Sequence, residues 1–442
     1  DRLRSRGLGD VYKRQTMTTT IEVGMLGLGT VGSGVVERLT RSAAKIEQTQ
    51  GIRLHLAAVA VNHLNAPRTV QLPIGTRLTD SLTNVVCDRK IQLVIEVMGT
   101  VATAKKAIVA ALNQGKAVVT ANKDLIATAG PELAALAKKQ GCDLFYEASV
   151  AGGIPILRTL TDSYVTDNVQ AVSGIINGTA NYMLSAMATG QSYEQALATA
   201  QAAGYAEADP TNDVAGIDAA YKLMILSRFA FGQELSLPQI APTGITHLSA
   251  SVCRLAAENG WQIKLLAQIQ RHGSGLYCRV APVAVPVDQP LSQINGVQNA
   301  VAVQSEAIGT SLYTGPGAGS TATANSVLND VLVAAKHLIN GYRMIRNQKR
   351  SVSLTVTRFD QLPQTYLGIG PVAPEAVKYY ANEADFSVKT IADDCYQITG
   401  LSAVKRKKLR ANLPLTLIPI AGTTDWKQVT ENSITSPINV AI

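Results

Sequence analysis

"IEVGMLGLGTVGSGVVERL", residues 21–39, decides how the rest of the chain is read. A short β-rich run, Ile21 to Leu26, leads into Gly27-Leu28-Gly29-Thr30-Val31-Gly32, and a helical pattern follows through Ile46. Strand, glycine turn and helix in that order are the context of a dinucleotide fingerprint. Gly27 permits the tight turn, Gly29 lets backbone approach a pyrophosphate, and Gly32 lets the helix close on the strand. Thr30 and Val31 open that helix, whose unpaired N–H groups attract phosphate. Glycine turns are common; the weight comes from this one standing at the first strand of an alternating β/α region.

The alternation continues. "LHLAAVAVN" (54–62), "IQLVIEVMG" (91–99), "KAVVTANK" (116–123) and "CDLFYEASV" (142–150) read as further strands, with helices around Ala102–Asn113 and Gly130–Gln140. Near-continuous apolar strands joined by helices predict a parallel sheet covered on both faces, a Rossmann-type doubly wound α/β fold. NAD binders usually carry Asp or Glu at the tip of the second strand for the ribose 2′-OH. Asn62 and His63 stand there instead, with Arg68 nearby. The site is expected to tolerate NADP, Arg68 being either a partner for a 2′-phosphate or a solvated loop arginine.

Past residue 150 the pattern changes. "AGGIPILRTL" (151–160) is a glycine-proline hinge entering a helix, and helices and strands run to about residue 310. A second glycine-rich turn, within "YTGPGAGSTATANSVLNDVLVAAKHLI" (313–339), feeds a helix expected to pack back on the first domain. From about residue 350 the order reads β (352–356), α (374–383), β (386–391), β (395–399), α (402–410), β (415–420), which fits a small ferredoxin-like βαββαβ module.

Composition sets the class. With 442 residues, 46% hydrophobic and 16% charged, the chain holds enough apolar material for two or three domains with real cores. The formal net charge of +8 hints at nucleic acid, but the opening fifteen residues, "DRLRSRGLGDVYKRQ", supply +3 of it. They have no helical or strand period, so residues 1–16 are read as a non-native leader and Met17 as the start. The basic run Lys405-Arg406-Lys407-Lys408 reads as a solvated helix face, without the aromatic or groove-reading neighbours that nucleic-acid binding needs. The five scattered cysteines form no CxxC and the five histidines no metal-spaced pair. With no apolar stretch of membrane-spanning length either, a soluble cytoplasmic protein is expected.

The chemistry concentrates in "GYAEADPTNDVAGIDAAYKL", residues 204–223. From 214 to 232 the sequence is apolar almost all round, the mark of a buried helix. Asp218 and Lys222, four positions apart, share one of its faces. An exposed pair of this kind is a routine surface ion pair; a desolvated one seldom repays its solvation cost, so a role beyond stability is indicated. Hydride transfer from an alcohol needs the hydroxyl to lose its proton, and a lysine tuned by burial and a nearby carboxylate can take it. Glu207 can anchor a substrate ammonium group. Asp213 either joins the substrate site or caps the buried helix.

Taken together these stretches resemble the homoserine dehydrogenase family over residues 21–345. The most specific piece runs from Ala200 and Gly204 through Asp209-Pro210, Asp213, Gly216, Asp218 and Lys222. "VTANKDLIA" (119–127), "YEASVAGGIPI" (146–156), "GIINGTANYML" (174–184) and "GPGAG" (315–319) agree in order. The resemblance implies reversible oxidation of L-homoserine to L-aspartate 4-semialdehyde with NADP or NAD. It divides the chain into a dinucleotide-binding domain (17–150, completed by the helix 320–342), an α+β catalytic and dimerisation domain (151–319) and a C-terminal module (350–442). It makes Lys222 the proton donor, with Lys123 and Asp218 also catalytic, sets Lys123 at the junction of cofactor and substrate and Thr120 beside the cofactor, gives Glu207, Asp213 and Asp218 to the substrate, and brings Gly204 and Gly319 to the nicotinamide half. It further implies a monovalent cation, typically sodium, on Glu147 and the carbonyls of Val150, Gly152 and Ile154. A turn with inward carbonyls and one carboxylate suits a hard cation.

Two departures stand out. Asn62 replaces an arginine of many members, which leaves the choice between NAD and NADP open. "DQLPQTYLGIGP" stands where the family's ACT regulatory domain has a Pro-Gly-x-Leu-like turn, so feedback by a ligand such as threonine is unassigned. A homodimer or larger homo-oligomer is implied. The competing readings are a dehydrogenase of another amino-acid alcohol or semialdehyde, and a catalytically silent nucleotide sensor. The intact set Lys123, Glu207, Asp218 and Lys222 speaks against the sensor, which needs no proton donor.

Overall fold

The computed structural model describes residues 18–341 and 354–423. The leader 1–16 and Met17 lie outside them. The described residues form two compact units: one runs to Gly153 and resumes at Ala318 through the long helix that follows, and the other holds Ile154–Gly317 with the C-terminal stretch.

The first unit carries six strands: β1 (Thr19–Leu26), β2 (Ile52–Ala60), β3 (Arg77–Thr79), β4 (Leu93–Glu96), β5 (Ala117–Thr120) and β6 (Leu144–Phe145). They pair in the order β3-β2-β1-β4-β5-β6, every pair parallel. This is the dinucleotide-binding arrangement, with its switch point between β1 and β4. Successive residues of β1 face opposite sides. Ile21, Val23 and Met25 join a core with Val35, Val36 and Leu39 of the helix Thr30–Gln50 and with Ala324, Val327 and Val331 of the helix Ser320–Asn340. Gly24, on the other side, lies against Val85 and Ile91. β4 and β5 are buried at all four positions each, which is why they read as unbroken apolar runs.

Two boundaries differ from the sequence reading. The helix expected from Gly130 starts at Lys123 and runs to Gln140 with Pro131 inside it. Asn122 caps it, its Oδ1 accepting the Leu125 N–H at 3.1 Å, and that cap outweighs the glycine-proline break. The strand expected over 142–150 shrinks to β6. The Glu147 N–H donates to the Asp330 carboxylate at 2.9 Å, and the chain turns through a 3-10 segment, Glu147–Ser149, away from the sheet.

In the second unit a mixed sheet comprises β7 (Val169–Ile175), β8 (Trp261–His272), β9 (Gly275–Pro286), β10 (Gln298–Ser305), β11 (Gly309–Pro316) and β12 (Thr355–Arg358), ordered β11-β10-β7-β8-β9-β12. The helices Gly178–Ala188, Ile217–Phe231 and Ala250–Glu258 pack on β8, and the second is buried along most of its length.

β8 also carries a buried lysine. Lys264 is 1% exposed; its Nζ donates to the carbonyl of Ile294 (2.6 Å), to Asn295 Oδ1 (2.8 Å) and to Asn181 Oδ1 (3.4 Å). Burial pushes its ammonium down to about 8. An unfolded chain holds that proton to roughly 10.4, so between these values the unfolded state binds more protons and stability rises with pH. Below about 8 the cost of burying the charge is present in full. Denaturant titrations from pH 7 to 10.5 are expected to show Lys264→Met lacking a rise of about 3 kcal/mol that the parent chain contributes at this site. Parallel profiles for the two chains would refute this.

The C-terminal module folds as β13 (Gln364–Ile369), the helix Pro374–Ala384, β14 (Ser387–Ala392), β15 (Cys395–Leu401), the helix Ala403–Asn412 and β16 (Thr416–Pro419). Its antiparallel sheet runs β14-β15-β13-β16, the expected βαββαβ order. The first strand is a correction. The stretch expected to begin the module, 352–356, overlaps β12, which pairs in parallel with β9 at the edge of the other sheet. "QTYLGI", buried at all six positions, is the strand that serves. Its flanking glycines and prolines disguise it as a loop. The Ala421 N–H donates to the Ala284 carbonyl of β9 at 2.9 Å, and both stretches belong to the second compact unit.

Candidate active site

In the first unit the glycine turn follows β1. Gly27 has φ of +100°, and a Cβ there would lie 2.7 Å from the Val97 carbonyl oxygen. A Cβ on Gly32 would lie 2.5 Å from the Gly27 carbonyl oxygen, whereas one on Gly29 would meet nothing within 4 Å. Two glycines thus close the turn and the third leaves open space, as a pyrophosphate requires. Thr30 and Val31 form the first turn of the helix, whose N-terminus has no side-chain cap. Gly319 precedes the helix Ser320–Asn340 and reaches the same end of the sheet, because the Ser320 hydroxyl donates to the Thr30 carbonyl at 2.8 Å. Gly34 makes that approach possible, since a Cβ there would fall 2.3 Å from Ser320 Oγ. The sequence reading passed over it.

Asn62 is exposed just beyond β2. Arg68 donates to the carbonyls of His63 (2.7 Å), Leu64 (2.7 Å) and Ala66 (2.9 Å), so its guanidinium shapes its own loop. Thr120, at the end of β5, is fully buried. Its hydroxyl donates to Glu96 Oε2 at 2.6 Å and accepts the Asn122 N–H at 3.0 Å. Its side chain therefore fixes the two strand ends and the start of the Lys123 helix. Glu96, also unnoticed in the sequence, takes the Met98 N–H on its other oxygen at 2.8 Å. Burial raises its carboxyl above the usual range, against the lowering effect of these donors. Lys123 opens its helix, its Nζ 3.6 Å from the carboxylate of Asp124. Glu147 and Val150 are buried, and Gly152 offers its carbonyl to the Ser326 hydroxyl at 2.7 Å.

The second unit gathers the polar cluster of the central stretch. Lys222 Nζ lies 2.7 Å from Asp218 Oδ2, and the two side chains are only 12% and 7% exposed. The same Nζ donates to the Ile176 carbonyl at 2.7 Å. Asn177 completes the arrangement: its Nδ2 donates to Asp218 Oδ2 at 2.9 Å and to Asp213 Oδ1 at 2.7 Å. Its Oδ1 accepts the Ala180 N–H at 2.7 Å and so caps the helix Gly178–Ala188. Asn177 was missed, although Asn-Gly-Thr before a helical run is a readable cap signal. Asp213 does not cap the buried helix. It lies in a separate turn, Thr211–Val214, and Gly216 precedes the helix with φ of +78°. A side-chain cap needs extended backbone at that position, which this turn does not have.

Gly204 ends the helix Tyr193–Ala202, and the segment after it is held by Thr179, whose hydroxyl donates to the Tyr205 carbonyl at 2.5 Å. Glu207 is exposed on that segment, its carbonyl accepting from Gln201 Nε2 at 3.1 Å. Ile154, the last of the residues expected on a cation, opens this unit, and its carbonyl accepts the Ile156 N–H at 2.8 Å.

Oxidising an alcohol by hydride transfer takes a place for a dinucleotide and a group able to carry the hydroxyl proton; the glycine turn is a candidate for the first and the Lys222–Asp218 pair a candidate for the second. The class is an NAD(P)-dependent oxidoreductase acting on a CH–OH donor. The homoserine dehydrogenase family profile matches residues 155–332, and that of the homoserine dehydrogenase NAD binding domain matches residues 27–147. A homoserine dehydrogenase of Lactococcus lactis is 42% identical over 73% of this chain and 76% of its own length. That of Bacillus subtilis is 43% identical over 72% and 73%. The crystal structure of a homoserine dehydrogenase from Thiobacillus denitrificans superposes with a TM-score of 0.82 at 32% identity, covering 91% of this chain and 98% of the other. The chain belongs to the homoserine dehydrogenase family.

Proposed function

We propose that the chain catalyses the reversible NAD(P)-dependent oxidation of L-homoserine to L-aspartate 4-semialdehyde, with Lys222 moving the hydroxyl proton. One observation carries the assignment. An ammonium has three N–H donors, and Lys222 spends two, on Asp218 Oδ2 and the Ile176 carbonyl, both at 2.7 Å. The third is left for a substrate oxygen, and the first two hold the nitrogen in place. In the oxidative direction neutral Lys222 takes the hydroxyl proton; in reverse its ammonium returns that proton to the carbonyl oxygen. Asp218 is itself held by Asn177, so the pair is preorganised. Asp213 and Glu207 are assigned to the substrate's ammonium, and Lys123 to the junction of substrate and cofactor. The bound dinucleotide supplies the hydride acceptor. Gly27, Gly29, Gly32, Thr30 and Val31 would hold its pyrophosphate, with Gly319 and Gly204 toward the nicotinamide half.

The absence of any acid between Ala60 and Arg68 supports acceptance of NADP as well as NAD. Sodium fits the turn after β6. The Glu147 carboxylate is buried there, and φ of 50° at Ala151 and 31° at Gly152 curls the carbonyls of the turn. Glu147 with the carbonyls of Val150, Gly152 and Ile154 would hold the ion, which would neutralise the carboxylate and fix the turn. A homodimer in the cytoplasm is the assembly and location proposed; among the described residues β11 ends its sheet with an open edge and an exposed Leu312, and no helix is long and apolar enough to cross a membrane.

Purified chain given homoserine is expected to reduce both NAD and NADP, monitored by nicotinamide absorbance, and to lose activity or thermal stability on removal of sodium and potassium by dialysis. No turnover with either dinucleotide refutes the reaction. Full activity and stability without the ions refutes the cation.

A further inference from the structure

The C-terminal module meets β9 and β12 of its own unit around a cavity of about 150 Å³ that no step of the proposed reaction uses. Its wall includes Arg279, Arg358, Arg406, Arg410, His247 and Asp360. Four guanidinium groups thus face one carboxylate. Asp360 serves two of them, at 3.1 Å from Arg358 Nε and 3.5 Å from Arg406 Nη2. Arg279, 8% exposed, donates instead to the neutral Gln268 Oε1 (2.6 Å) and Gln364 Oε1 (2.8 Å), and Arg410 donates to the Leu417 carbonyl (3.2 Å). The electrostatics report the excess. Arg410 and His247 stand at the exposed rim of the cavity, where partial desolvation and then Arg406 lower the Arg410 guanidinium from its ordinary value, and partial desolvation and then Arg410 lower the His247 imidazole. Like charges gathered in a partly dehydrated space repel strongly and cost solvation, so something must offset the arrangement. Guanidinium forks match phosphate and carboxylate oxygens two at a time.

We infer that this cavity binds a small dianion, a phosphate or a dicarboxylate, joining the C-terminal module to the sheet beneath it. A zwitterionic amino acid suits the site poorly, because its ammonium would enter a field of four arginines with Asp360 alone to receive it. The sequence reading placed Arg406 on a solvated helix face with Lys405, Lys407 and Lys408. Lys407 and Lys408 are exposed, but Lys405 reaches the carbonyl of Asp385, and Arg406 turns inward to the Tyr366 hydroxyl and the cavity.

Calorimetric titration of the full chain, at fixed ionic strength and with saturating NADP so that the dinucleotide groove is filled, tests this with inorganic phosphate, succinate and L-threonine in separate runs. Saturable binding of phosphate, succinate or both is expected, and which of them binds identifies the anion class. Arg406→Gln and Arg410→Gln, checked for folding by circular dichroism, are each expected to weaken it about tenfold or more, the scale of one charge-assisted hydrogen bond. Asp360→Asn, which removes the competing acid, is expected to tighten it. The inference is overturned if neither anion saturates, if affinity is the same in both arginine variants, or if threonine alone binds at the arginines. None of these results bears on Lys222 or on homoserine turnover.

Discussion

Lys222→Ala is expected to lower kcat by about a hundredfold or more, the usual scale for a lost general acid–base group, while NADP binds as before. The dinucleotide groove lies in the other compact unit, built from Gly27, Gly29 and Gly32, and this substitution leaves those residues untouched. Removing one partner of a buried ion pair also destabilises, by roughly 3–5 kcal/mol, although Asn177 still serves Asp218 at 2.9 Å. A second variant separates the two effects. Lys222→Arg keeps a cation beside Asp218 but cannot release its proton near neutral pH; it should recover folding without recovering turnover. Glu207→Gln should behave differently again, raising the homoserine KM with kcat largely kept. Near-normal turnover in a folded Lys222→Ala or Lys222→Arg chain would end the mechanism.

Gly32→Ala should do the reverse, weakening the dinucleotide by about tenfold or more and leaving the Lys222–Asp218 pair intact. The added Cβ would sit 2.5 Å from the Gly27 carbonyl oxygen and 3.1 Å from its carbon, and both belong to backbone that cannot swing aside. The helix Thr30–Gln50 must then lift from β1, carrying with it the N–H groups proposed to hold the pyrophosphate. Overpacking of this kind costs about 1–3 kcal/mol, so a lower Tm should accompany the loss of affinity. Unchanged NADPH affinity, measured by quenching or enhancement of its dihydronicotinamide fluorescence, would show that the close contact is not what seats the cofactor.

These two variants probe features of different legibility. The glycine turn, the parallel sheet and the Asp218–Lys222 face follow from period and spacing, because each is a local constraint written along a few consecutive residues. The C-terminal strand "QTYLGI" was hidden because its burial comes from β15 and β16, which follow it in the chain. Asn177 was hidden for a related reason: the carboxylates it bridges lie 36 and 41 positions away.

The sequence by itself determined where a dinucleotide fingerprint lies, that an acid and a base share a dry helix face, and that small strands and helices fill the tail. All three are periodic or short-range patterns, and the backbone geometry of a helix or strand converts them directly into faces. Only the tertiary structure decided that Thr120 spends its hydroxyl on Glu96, that Asp213 answers to Asn177 and does not cap the buried helix, and that Arg406 faces a cavity beside Arg279 and Arg410. Those outcomes depend on which distant groups compete for each hydrogen bond or charge, and that competition exists only once the chain has closed on itself.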